Sequence, residues 1–241
     1  MNASRHVDII PTNTCPPNMV ELARQTASLA VFASQVQLDI CDGVFAPTIS
    51  WPYHDGQWDE LESMAAARRP LPLGGTVRYE AHLMVQDPLR IGELLARMGC
   101  PRILAHAEAF ADAQSARDAC AVWKAAGASE VGIVLLIDTP LSALDPLVQD
   151  VDEVLLMAIP TIGAQGAPFD ERIFARVAQL HARHPDLLIA IDGGVSLANI
   201  TGLAAAGATR FGVGSTIFKA SDPAIAYQQL LDCASRALRI Q

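Results

Sequence analysis

Residues 35–43 read QVQLDICDG, and the alternation in this stretch decides the fold. Successive side chains on a strand point to opposite faces, so Val36, Leu38 and Ile40 form one apolar face and Gln37, Asp39 and Cys41 the other. The apolar face suits packing beneath helices. Residues 77–85, VRYEAHLMV, repeat the pattern, with Tyr79, Ala81, Leu83 and Val85 opposing Glu80, His82 and Met84. Residues 187–194, LLIAIDGG, set Leu187, Ile189 and Ile191 against Asp192. Three strands thus each aim a polar group away from the helices and toward one interior.

Working outward, short β-branched runs alternate with amphipathic stretches along the whole chain. Further strands are expected at residues 7–12, 102–106, 130–136, 153–158 and 210–213, with the three above at 35–41, 78–85 and 187–192. The helical patterns between them carry end signals. Asp87-Pro88 opens one that closes before Gly99, Asp170-Glu171 opens another, and Ser196 is placed to cap a third that ends near Gly207. Eight strand–helix units in 241 residues, about 30 residues each, predict an α/β fold: a closed (β/α)8 TIM barrel, one domain spanning residues 1–241. An open doubly wound sheet is the other arrangement that such alternation allows, but neither GxGxxG after the first strand nor GxxxxGK[ST] is present.

Composition narrows the function. Net charge is −9, with no Lys/Arg cluster interleaved with aromatics, so nucleic acid is not expected as a partner. The chain is 51% hydrophobic, yet no apolar run approaches the roughly eighteen residues of a membrane span, and the N-terminus lacks a signal-peptide pattern. A soluble cytoplasmic enzyme is the expectation. Five scattered cysteines without CxxC spacing predict neither a disulfide framework nor a structural zinc site. The long segment 44–75 carries Trp51, Tyr53, His54 and Trp58 and is read as a cover for the barrel mouth or a contact in a homo-oligomer.

A lone inward Asp or His is most often a satisfied structural residue, because a buried carboxylate is costly unless paired or metal-bound. Asp39, His82 and Asp192 fall near the C-terminal ends of three strands, the face where barrel enzymes keep their chemistry, and are read as functional. His106 and Glu108 alternate in AHAEA and reach the same cavity either as substrate contacts or as a hydrogen-bonding pair behind it.

At this point the chain resembles the ribulose-phosphate 3-epimerases. Asp39-Ile40-Cys41-Asp42-Gly43 followed by Phe45-Ala46-Pro47 matches that family's second-strand pattern, and His82-Leu83-Met84-Val85 its third-strand pattern. Asp192-Gly193-Gly194-Val195 and Gly214-Ser215-Thr216-Ile217-Phe218 match the seventh and last strands, in order. Gly163 and Gly166, after Met157, resemble the family's phosphate-side loop.

The resemblance implies a sugar-phosphate 3-epimerase converting D-ribulose 5-phosphate to D-xylulose 5-phosphate, or handling a close ketose phosphate. In that family two aspartates pass protons through an enediolate; carried over, these are Asp39 and Asp192. It implies a divalent metal cation (zinc, iron, manganese or magnesium) held by Asp39, His82 and Asp192. It further implies that Gly193, Gly194, Gly214 and Ser215 hold phosphate through backbone N–H groups, and that Met84 and Met157 line the enediolate pocket.

The chain also departs from the pattern. Gln37 stands where the family has a metal-binding His, and an amide oxygen is a weaker ligand than imidazole for zinc or iron. Three outcomes follow: a metal held by three strong ligands and Gln37, a harder ion, or none. Cys41 replaces a pocket Met and is read as a small buried hydrophobe rather than a thiolate ligand. Thr12 and Asn13 predict a more polar entrance. Two alternatives therefore stand beside the epimerase: a related barrel with another ketose phosphate, and a non-catalytic sugar-phosphate-binding protein.

Overall fold

The computed structural model describes residues 6–163 and 167–239. Eight parallel strands close on themselves: β1 Asp8–Asn13, β2 Gln35–Cys41, β3 Arg78–Met84, β4 Arg102–His106, β5 Glu130–Leu135, β6 Glu153–Met157, β7 Leu188–Asp192 and β8 Arg210–Val213. β8 pairs with β1, so no edge is left open. The closed barrel, not the open sheet, is the fold.

Among the described residues eight helices run with the strands: α1 Met19–Leu29, α2 Gln57–Ala66, α3 Pro88–Arg97, α4 Ala113–Ala126, α5 Arg172–Arg183, α6 Ile200–Ala206, α7 Ser215–Phe218 and α8 Pro223–Leu238. Their starts follow local chemistry. Asp87 accepts the Leu89 N–H with Pro88 in the first turn, and Asp112 and Ser115 form a reciprocal capping box ahead of α4.

Period two in the strands sorts the apolar residues into two cores. Val36, Leu38, Ile40, Ala81 and Leu83 belong to the outer one, with helix residues such as Leu22, Ile91 and Val177. Cys41, Met84, Leu104, Val134, Leu155 and Met157 fill the inner one. The strand starts form a charged floor. Arg102 at the head of β4 pairs with Glu80 at 2.8 Å and with Glu130 at 2.8 Å, while Arg210 at the head of β8 pairs with Glu153 at the head of β6.

Three local expectations need correction. The β5–β6 crossover carries only a short 3-10 helix, Leu141–Leu144, because Pro140 and Pro146 bracket the stretch and each lacks the amide that a longer helix needs. Ser196 is not a helix cap. Its own N–H donates to Asn199 Oδ1, and α6 begins at Ile200. Asn13 does not line the entrance; its amide donates to Thr26 on α1, on the helix side of the wall, since it is one residue out of phase with Thr12.

Candidate active site

Register places the polar groups. Asp39 on β2 pairs with His82 on β3, Thr12 on β1 pairs with Gln37, and Asp192 on β7 lies between Met157 on β6 and Gly212 on β8. Strands 2, 3 and 7 therefore deliver Asp39, His82 and Asp192 to one point. His82 Nδ1 is 3.2 Å from Asp39 Oδ1 and 3.3 Å from Asp192 Oδ2. Gln37 Nε2 is 3.0 Å from Asp39 Oδ1, 2.8 Å from Asp192 Oδ2 and 3.1 Å from His82 Nδ1.

Asp39 and Asp192 of this cluster line a pocket that opens at the C-terminal ends of the strands. Of the residues read from the sequence, Thr12, Met84, Met157 and Gly163 line its walls. Gly193, Gly194, Gly214 and Ser215 line it as well. Gly166 lies outside the described residues.

Gly193 and Gly194 have φ of +99° and +66°, conformations that side chains rarely adopt, and a β-carbon on Gly193 would stand 2.6 Å from Ile159. The double glycine lets the chain turn directly off Asp192 and leaves main chain exposed to the pocket. From segment 44–75, Phe45 packs its ring 4.9 Å from the His106 ring, and the Thr48 hydroxyl donates to the Gly163 carbonyl. This part of the segment thus reaches from the end of β2 across to the loop after β6.

Burial and charge separate the two carboxyls. Burial pushes Asp39 up to about 6, and the nearby Asp192 charge adds to it. Burial also works against an ionised Asp192, but its hydrogen bonds with His82 and Gln37 outweigh that and hold it below the ordinary carboxylate range. Burial disfavours charge on His82 as well, yet its hydrogen bonds to Asp192 and Asp39 carry it up to about 10. His106 is pushed the other way by burial, down to about 4.

A family description, "Ribulose-phosphate 3 epimerase family", matches residues 15–218. The ribulose-phosphate 3-epimerase of Aquifex aeolicus is 32% identical over 194 residues, 79% of this chain and 80% of that one. That of Escherichia coli K12 is 29% identical over 231 residues, 93% of each chain. The chain belongs to the ribulose-phosphate 3-epimerase family. Its relatives are carbohydrate isomerases.

Two solved structures carry the same fold at low sequence identity. The 3-hexulose-6-phosphate synthase of Salmonella typhimurium superposes with a TM-score of 0.67 at 14% identity, covering 95% of this chain and 99% of that one. The 3-keto-L-gulonate-6-phosphate decarboxylase of Vibrio cholerae gives 0.66 at 12% identity, covering 95% and 98%.

A divalent cation, on which the epimerase family depends, has a matching donor set here. One ligand atom each from Asp39, His82 and Asp192 lies within 4.8 Å of the others, with two carboxylates to balance the charge. Gln37 fits less well. An amide nitrogen has no lone pair for a metal, and it is this nitrogen that faces the three donors, while Oε1 lies on the Thr12 side. Cys41 is not part of this donor cluster among the described residues; its sulfur instead lies 3.1 Å from that of Cys15.

Sequence reading missed Thr14, Ile159, Ala167 and Gly212 as pocket residues. Thr14 was findable, since it follows Thr12 by two positions just past β1. Gly212 was not: its meaning is the space it leaves. A β-carbon there would stand 2.5 Å from Gln37 Oε1 and 3.1 Å from Asp192 Cγ.

Proposed function

We propose that this chain is a sugar-phosphate 3-epimerase that interconverts D-ribulose 5-phosphate and D-xylulose 5-phosphate, or a close ketose phosphate. The observation that carries the proposal is the pair of buried carboxylates, Asp39 and Asp192. They arrive from different sides of the barrel and share the Gln37 amide at 3.0 and 2.8 Å. Epimerisation beside a ketone requires two such groups, one on each face of a planar enediolate. Groups of one kind take opposite roles only when their environments differ, and here burial raises Asp39 while hydrogen bonds lower Asp192, so that between them they serve as proton donor and acceptor. The reverse reaction exchanges the roles.

When bound by Asp39, His82 and Asp192, a divalent cation supplies fixed positive charge beside the developing oxyanion. The chain's own residues do the rest. Met84 and Met157 press on the reacting carbons and keep water away from the intermediate. The backbone N–H groups of Gly193, Gly194, Gly214 and Ser215 hold the phosphate, which lets a chain of net charge −9 bind an anion without a basic patch.

The test is solvent deuterium wash-in on a panel of ketose phosphates, D-ribulose 5-phosphate among them, for the native chain and for Asp39→Asn and Asp192→Asn. Wash-in by the native chain and its loss in both variants is expected. Substantial exchange in both single variants overturns the assignment of the aspartates. Tight binding of a ketose phosphate without exchange by the native chain makes the protein a non-catalytic binder.

A further inference from the structure

The centre has an unexplained neighbour. His106 is fully buried behind His82, and the two rings meet nitrogen to nitrogen, Nε2 to Nε2 at 3.0 Å. The other His106 nitrogen, Nδ1, faces Glu108 Oε2 at 3.5 Å and has no hydrogen-bond partner among the described residues. Glu108 is itself held in place, its Oε1 accepting the Leu136 N–H at 2.9 Å and the Thr139 hydroxyl. The Phe45 ring closes over His106 from the mouth.

We propose that His106 and Glu108 are positioning residues that hold His82 with its proton on Nε2, leaving Nδ1 to serve the carboxylate pair and the cation. The inference rests on reading Asp39, His82 and Asp192 as the working centre. It follows from counting protons. Only one hydrogen fits between two nitrogens 3.0 Å apart, so one ring donates and the other accepts. Were His106 the donor, its buried Nδ1 would carry a lone pair aimed 3.5 Å away at the Glu108 carboxylate, two acceptors facing each other. The carboxylate therefore places the His106 proton on Nδ1. His106 Nε2 must then accept, and His82 Nε2 must donate. The same order holds whether His82 Nδ1 faces a cation as a lone pair or faces the carboxylates as N–H. An outer carboxylate that sets the tautomer of a metal-facing histidine is a common device in metal sites. Here it acts through a second imidazole.

Glu108→Gln tests this with almost no change of shape. The Leu136 N–H and the Thr139 hydroxyl claim the amide oxygen, so the amide NH2 turns to His106 Nδ1 and reverses the whole relay. The histidine tautomers are read by nitrogen-15 NMR on metal-free protein, and the affinity for Mn2+ by calorimetry. In the native chain His106 should show protonated Nδ1 and bare Nε2. In Glu108→Gln the two should exchange, with Mn2+ affinity falling about 10- to 100-fold and kcat falling more than KM changes. A native His106 protonated on Nε2, or Mn2+ affinity unchanged in Glu108→Gln, overturns the relay. If no ketose phosphate is turned over, the epimerase reading fails while the tautomer and Mn2+ results still decide the relay. If the variant does not fold, the native spectrum alone decides it.

Discussion

Gln37 Nε2 donates to Asp192 Oδ2 across 2.8 Å, joining residues 155 positions apart. The same nitrogen reaches Asp39 Oδ1 at 3.0 Å, so one neutral amide bridges two carboxylates that would otherwise repel. It binds them as a donor, not as a ligand. Replacing it with imidazole, Gln37→His, adds a nitrogen lone pair beside Asp39, His82 and Asp192, which suits zinc better than an amide. The variant should bind Zn2+ roughly tenfold more tightly or better, and should retain more metal after dialysis. Elemental analysis and competition with a chelating dye check this. Equal affinities would show that Gln37 does not limit the metal site.

Gln37 keeps its pose because Gly212 has no side chain. A methyl group there would meet Gln37 Oε1 at 2.5 Å and the Asp192 carboxyl carbon at 3.1 Å. Gly212→Ala should therefore push both groups from their places while the barrel stays folded. A displacement near 1 Å at reacting groups costs about 100-fold in rate. We expect a loss in kcat/KM of that order with an unchanged circular dichroism spectrum. Full activity would mean the cluster absorbs the methyl group elsewhere.

The barrel and the placing of its candidate site residues were legible in the sequence for a physical reason. Val36, Leu38 and Ile40 had to meet helices, so Gln37 and Asp39 could only point inward, and the strand start and end at Gln35 and Cys41 matched. The same period placed Asp192. What did not show was pairing across the barrel. Nothing local to Arg102, Glu80 or Arg210 says that these charges share the floor, because their partners are set by closure. His106 was legible as an inward group but not as a neighbour of His82. Gly212 was silent because a missing side chain has no pattern. The weak fifth crossover could have been read from Pro140 and Pro146.

His106 makes acid stability testable. Burial pushes it from 6.5 down to about 4, so the fold prefers its neutral form. The contribution is complete above the unfolded value of 6.5 and is lost as pH falls from 6.5 toward 4. A shift of this size corresponds to about 3 kcal/mol. Asp39, pushed up instead, changes in the opposite sense over part of this range. The difference between the native chain and His106→Gln is therefore the measurement. Urea midpoints at several pH values should converge as pH falls from 6.5 to 4. A constant gap would mean that His106 is not buried in its neutral form.

The charged floor predicts the largest effect on stability. Arg102 and Glu80 are each 2% exposed and Glu153 is fully buried, so none has water to fall back on. Arg102 Nε is also 3.9 Å from Glu153. Arg102→Met fills similar space but strands Glu80 without its cation, leaving Arg210 to serve Glu153. Breaking a buried pair from one side costs about 3–5 kcal/mol, more than the pair itself contributes, since the remaining charge stays desolvated. Urea denaturation should show that loss. Glu80→Gln in the same chain should return part of it, because a neutral amide tolerates burial better than a lone carboxylate. If the double variant is as unstable as the sum of its parts, the two residues do not act as a pair, and the floor is held by packing instead.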